Sequence, residues 1–305
     1  MRLRKPSRLL PGDRVGIAAP ASHLRCDQSE LFFRGVEALK EMGFEVHYRA
    51  DILDRRHLYF AGEDEDRTKE LIDLLLDPTI KAIFFLRGGY GTQRMIPYLG
   101  DLEGIAPKVI VGGSDLTVLH AFVGRKWGWV TFYGPHLTTP SFAEGERKTR
   151  ESFARTLTSF KPPDPIPCEV LRKGKARGVI LGGCLSSLVT TLGTSYQLQA
   201  QGAILFLEDQ NESPYRIDRM ITHLRSAGVL EGVRGVVFGQ MPGCDLPEKE
   251  GLLKEAILDS LRGDFPILFG LPSGHGPINM TIPLGVEVEL DGEEGLLRFL
   301  EAGVL

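Results

Sequence analysis

Residues 108–117, KVIVGGSDLT, run from an apolar segment of strand character through two glycines into residues suited to a helix start. A strand feeding a helix through a short turn is the repeating unit of an α/β fold, and the flanking sequence repeats it. Upstream, Asp13–Ala19 and Ala82–Leu86 read as buried strands and Phe44–Tyr48 as a further strand. Between them, Gln28–Met42 and Glu63–Leu76 carry helical periodicity; the second is acidic at its start and stops at Asp77-Pro78. Downstream, Lys161–Pro167 places four prolines in seven residues, which neither a helix nor a central strand tolerates. The pattern then restarts: Gly178–Leu181, Ala203–Leu207 and Gly235–Phe238 read as strands, and Ser213-Pro214 as a helix start with serine at the N-cap. Residues 286–290 and 296–300 flank DGEEG as a closing hairpin. The expected architecture is α/β: a parallel-sheet domain over residues 1–160, a linker at 161–170, and an α/β domain over 171–305 with a β-rich closing hairpin. The site is expected between the two.

Composition narrows the function. The chain has 305 residues, 42% hydrophobic and 25% charged, with a net charge of -4. That balance argues against a general nucleic-acid or membrane-surface binder. The four cysteines, Cys26, Cys168, Cys184 and Cys244, lie far apart with no C-x-x-C pair, so neither a metal nor a redox cofactor is expected. Pro11, Gly12, Asp13 and Arg14 break the first apolar run, unlike a signal peptide, and no stretch reaches membrane-spanning length; the cytoplasm is the expected compartment.

Four segments carry candidate chemistry. Ser114 stands at the strand–helix junction, where free N–H groups of a first helical turn can stabilise an oxyanion. The turn resembles a nucleophile elbow in logic, although Leu116 fills the last glycine position; an ordinary N-cap is the competing reading. Arg87-Gly88-Gly89-Tyr90-Gly91 also follows a strand. Its backbone could supply a second oxyanion donor or form a plain tight turn, while the P-loop and dinucleotide patterns both fail. Phe206-Leu207-Glu208-Asp209-Gln210-Asn211-Glu212 ends a strand in three carboxylates, any of which could orient a histidine, unless the loop is simply solvated. His275 lies between Gly274 and Gly276, an open setting unlike that of a core histidine. His136, in YGPHLTT, is the other histidine of interest. A serine nucleophile needs a base in reach and a carboxylate behind that base, and one candidate of each type is present.

Taken together, PGDRVGIAAPAS (11–22), RGGYG (87–91), GGSDLT (112–117), LEDQNESPYRIDRMITHL (207–224) and GHGPINMTIPLG (274–285) resemble the LD-carboxypeptidase family of serine peptidases. That family includes muramoyl-tetrapeptide carboxypeptidases and microcin C self-immunity peptidases. The resemblance implies Ser114 as nucleophile, Glu208 as orienting acid, His275 as general base, and the N–H groups of Gly89 and Asp115 as the oxyanion hole. It implies an N-terminal nucleophile domain and a C-terminal domain that supplies acid and base. The family usually has an aromatic residue where this chain has Gly113, and asparagine where it has Cys184.

The implied activity is hydrolysis of the L,D amide that releases the terminal D-alanine of a cytoplasmic murein tetrapeptide, without metal or cofactor. An immunity-type peptidase acting on a peptidyl-nucleotide is the first alternative, and a two-domain small-ligand binder without catalysis is the alternative of another class. The expected partner is a small peptide substrate, with no nucleic acid and no membrane, and the expected assembly is a homodimer.

Overall fold

The computed structural model describes residues 3–100, 104–246, 248–249 and 251–305. The first half begins with β1 (Arg14–Ala18), α1 (Ser29–Glu41), β2 (Glu45–His47) and α2 (Asp64–Leu76). It continues with β3 (Ile80–Phe85), α3 (Thr92–Leu99), β4 (Val109–Gly112), α4 (Thr117–Phe122) and β5 (Thr131–Tyr133). Apolar runs in β3 and β4 are buried on both faces, as expected where helices cover both sides of a parallel sheet. In α2, Asp64, Glu65 and Asp66 occupy the first turn, where the helix dipole favours them. Leu71, Leu74 and Leu75 face the core, and Asp77, extended at ψ 111° ahead of Pro78, ends the helix.

The five strands lie parallel in the order β2-β1-β3-β4-β5. The order reverses between β1 and β3, so a crevice opens beyond the carboxyl ends of the strands there. Segments 20–22, 87–91 and 112–114 all emerge at that edge.

The second half adds β6 (Ile166–Pro167), β7 (Glu169–Arg172), β8 (Lys175–Cys184), β9 (Ile204–Glu208), β10 (Gly235–Gln240) and β11 (Ile267–Gly274), then β12 (Ile282–Leu284), β13 (Glu287–Asp291) and β14 (Leu296–Phe299). Parallel strands β8-β9-β10-β11 form the centre of an eight-stranded sheet, with antiparallel strands on both flanks. β13 and β14 pair antiparallel around the Asp291–Gly295 turn, where the Asp291 carboxylate accepts the N–H groups of Glu293 and Glu294.

Three details differ from expectation. Ile166 and Pro167, inside the proline-rich segment, form an edge strand on β14, a place where proline costs no ladder bond. β12 leaves the second half and pairs antiparallel with β5, extending the first sheet to six strands. Ser213 stands at the N-cap before Pro214, but its side chain makes no cap hydrogen bond. One core runs from Val111, Phe132 and Tyr133 into Ile180, Phe206 and Val288, so both sheets share buried surface. Among the described residues, no helix is long and apolar enough to cross a membrane.

Candidate active site

β4 ends at Gly112, and the chain turns through Gly113 into a single 3-10 turn, Ser114–Leu116, that continues as α4. Gly113, not Ser114, holds the N-cap position, and no side chain caps the turn. Ser114 has φ +54°, a conformation that an L-residue adopts at a cost of roughly 1–3 kcal/mol. An ordinary N-cap serine would not be held this way. Ser114 lines a cleft of about 730 Å³ together with Tyr133, His136, Glu144, Gln210 and His275.

The glycine-rich loop sits against this turn. A Cβ at Gly88 would stand 3.2 Å from Ser114 Oγ and 3.0 Å from the His136 ring. The Asp115 carboxylate accepts the Thr92 N–H at 2.8 Å, tying the serine turn to the start of α3. Burial pushes the Asp115 carboxyl above its usual range, and the hydrogen bonds from Thr92 work against that. Buried Arg67 holds the other side: its guanidinium donates to the carbonyls of Pro20, Gly62 and Gly91 and pairs with Asp64. The Ser22 hydroxyl accepts the Tyr90 N–H at 3.2 Å.

Glu208 ends β9 with its side chain fully buried, and Gly274 ends β11 beside it. Gly274 has φ +118°, and a Cβ there would meet Glu208 Oε2 at 2.4 Å, so only glycine lets the two strand ends approach. Glu208 Oε2 accepts His275 Nδ1–H at 2.7 Å and the His275 backbone N–H at 3.2 Å. With Nδ1 donating, the lone pair of the neutral ring sits on Nε2. His275 lies in the same cleft as Ser114, its side chain 18% exposed, so it is not packed into an apolar core. Burial lowers the His275 pKa; the hydrogen bond and charge of Glu208, with the charge of Asp209, outweigh it and leave the pKa above its ordinary value.

The three carboxylates of the strand end have separate fates. Asp209 turns to the Ser186 N–H at 2.7 Å, and Glu212 pairs with Arg216 at 3.2 Å. Only Glu208 of the three bonds to a histidine.

Tyr133 was not singled out in the sequence. Its hydroxyl donates to Glu208 Oε1 at 2.5 Å and accepts the Ser114 N–H at 2.8 Å, bridging the carboxylate to the serine backbone. Burial, reinforced by the Glu208 charge, raises its pKa well above normal and keeps the donor protonated. The Ser114 N–H is thereby committed, which leaves the amides of Gly89 and Asp115 as the donors named for an oxyanion. The lone hint was a tyrosine closing an apolar strand before Gly134-Pro135, where a buried hydroxyl must find a partner.

His136 is partly buried, with Nε2 3.0 Å from the Gly113 carbonyl oxygen. Burial, helped by the nearby His275, pulls its pKa to about 3, so it stays neutral.

The two departures from the family pattern also have a physical setting. A Cβ at Gly113 would lie 3.1 Å from the Gly134 carbonyl and 3.2 Å from the Tyr133 ring, so this tyrosine crowds the space. Cys184 is buried, its N–H donating to Thr117 Oγ1 at 3.0 Å, and burial raises its thiol pKa far above normal. Among the described residues, no group of three or more His, Cys, Asp or Glu side chains could hold a metal ion.

A serine hydroxyl and an imidazole backed by a buried carboxylate share this cleft, and these are the groups that acyl transfer requires. Residues 15–134 match the LD-carboxypeptidase N-terminal domain and residues 177–290 its C-terminal domain. The probable murein peptide carboxypeptidase of Bacillus subtilis is 33% identical over 98% of this chain and 95% of its own length. Among solved structures, MccF in complex with glutamyl sulfamoyl guanosine superposes with a TM-score of 0.87 at 26% identity, covering 99% of each chain. The muramoyltetrapeptide carboxypeptidase of Oxalobacter formigenes superposes at 0.81 with 29% identity, covering 93% of this chain and 97% of that one.

Proposed function

Because the chain belongs to the LD-carboxypeptidase family of serine peptidases, we propose that it hydrolyses the L,D amide releasing the terminal D-alanine of a murein tetrapeptide, with Ser114, Glu208 and His275 as its catalytic triad. The observation that carries the reading is the Glu208–His275 pair at 2.7 Å, set in the same cleft as a serine held at φ +54°. His275 Nε2 takes the proton from Ser114 as the hydroxyl attacks the amide carbonyl, and the N–H groups of Gly89 and Asp115 receive the oxyanion. Collapse of the tetrahedral adduct passes that proton to the leaving amine and frees D-alanine. Water, activated by the same histidine, then releases the tripeptide from Ser114. The same reading takes the enzyme as a cytoplasmic homodimer.

Incubating the purified protein with murein tetrapeptide, with D-alanine detected by a coupled D-amino-acid oxidase, tests the substrate. Stoichiometric D-alanine and tripeptide are expected. The MccF likeness, at a TM-score of 0.87, supports a peptidyl-nucleotide as second reading. Cleavage of an aminoacyl sulfamoyl nucleotide with no release of D-alanine would move the assignment there. A binder without chemistry would cleave neither.

The pH dependence follows from the His275 environment. The base works only when neutral, and Glu208 holds its proton on above the ordinary value of about 6.5. Activity is therefore lost as pH falls through the raised pKa. A kcat/KM profile should show an acid limb with its midpoint above about 6.5. A midpoint near pH 4, with full activity at pH 6, would mean that His275 is not the titrating base.

A further inference from the structure

Arg87 differs from Arg55 and Arg67, each of which has a carboxylate partner. Arg55 pairs with Glu70 at 2.7 Å and Arg67 with Asp64. Among the described residues, the Arg87 guanidinium, half-buried just past the carboxyl end of β3, donates only to neutral acceptors, the His23 carbonyl and Gln28 Oε1, both at 3.3 Å. Among the described residues no carboxylate pairs with it. Burial lowers its pKa, and the like charge of Arg25 lowers it further. A half-desolvated cation without a counter-ion is costly unless an anion arrives to complete it.

Its position says where such an anion would sit. Arg87 lines a cavity of about 180 Å³ together with Gly88, Gly89, Ser114 and His275. That volume is well below the 300–1,000 Å³ of sites for drug-sized ligands and suits a single small residue. The larger cleft, which shares Ser114 and His275 with this cavity, is walled by Glu144 and Glu146. The small cavity thus carries a cation in its lining, and the larger cleft carries two carboxylates.

We propose that Arg87 binds the free α-carboxylate of the leaving D-amino acid and so makes this site an exopeptidase, cutting one residue from a free C-terminus. The inference rests on the L,D-carboxypeptidase reading and deepens it. A guanidinium can grip a carboxylate through two parallel N–H donors, which fixes the scissile amide over Ser114 as well as binding it.

The test compares two substrates, murein tetrapeptide and the same peptide ending in D-alaninamide, with the wild-type enzyme, Arg87→Met and Arg87→Lys. Wild-type kcat/KM should favour the free carboxylate by on the order of a hundredfold. Arg87→Met should bring the ratio to within about threefold of unity by losing activity on the carboxylate substrate, and Arg87→Lys should lie between, keeping charge but not the fork. Equal wild-type rates on both substrates, or a wild-type ratio surviving in Arg87→Met, would overturn the assignment while leaving the peptidase reading intact. Should Arg87→Met fail to fold, the wild-type ratio and Arg87→Lys decide. If the wild-type enzyme cleaves neither peptide, the L,D-carboxypeptidase reading itself falls, and this inference with it.

Discussion

Replacing Ser114 with alanine is expected to reduce turnover of murein tetrapeptide by on the order of a millionfold, the scale of losing a triad nucleophile. The Thr117 hydroxyl, at the end of the same turn, is engaged by the Cys184 N–H, and water in the cleft would have to attack the amide without a covalent intermediate. The fold should survive, because alanine takes the same backbone at φ +54° with no worse strain than serine. Ser114→Gly supplies a sharper control. Glycine relieves the left-handed strain, so this variant should be equally inactive yet more stable by about 1 kcal/mol, read as a raised Tm. A Ser114→Ala enzyme keeping a tenth of wild-type activity would sink the nucleophile assignment.

The second large effect belongs to Glu208. Glu208→Gln should lower kcat by roughly ten-thousandfold, as when a triad acid loses its charge with its shape kept. The carboxylate accepts three hydrogens, from His275 Nδ1, the His275 backbone and the Tyr133 hydroxyl. An amide can present its oxygen to only one side of that set, and its NH₂ would face a donor on the other. His275 would lose the partner that fixes its tautomer. Because Glu208 raises the His275 pKa, the acid limb of any residual activity should also move to lower pH. A purely structural role would lower the rate and leave the limb in place. A loss of less than tenfold would show that another group orients the histidine.

Much of the fold could be read locally, since strand ends and helix stops are written in short-range chemistry. The turn into Ser114, the stop at Asp77-Pro78 and the hairpin around Asp291–Gly295 each follow from a few adjacent residues. β12 could not be read that way. Its three residues, Ile282–Leu284, carry no periodicity, and their pairing with β5 depends on tertiary contacts some 150 residues away along the chain. The edge strand within the proline-rich segment was hidden for a related reason: proline forbids a central strand but not a terminal one.

The site divides along the same line. Ser114 and His275 announced themselves through glycine neighbours. Choosing Glu208 over Asp209 and Glu212 needed the family resemblance, because all three cluster at or just past the end of β9 and the sequence does not say which of them turns toward His275. Tyr133 needed the structure outright, since its bridge joins positions 75 residues apart. Arg87 was visible as part of a glycine-rich turn, but its lack of a carboxylate partner is a property of the folded chain alone.

The central claim is that cleavage passes through an acyl group on Ser114. The most direct measurement is mass spectrometry of enzyme acid-quenched during turnover of excess murein tetrapeptide, followed by proteolysis and peptide mapping. The prediction is that the peptide containing Ser114 gains the mass of the tripeptide acyl group, and that the gain vanishes in Ser114→Ala. The same acyl mass on a peptide lacking Ser114, or its persistence in the alanine variant, would contradict the account.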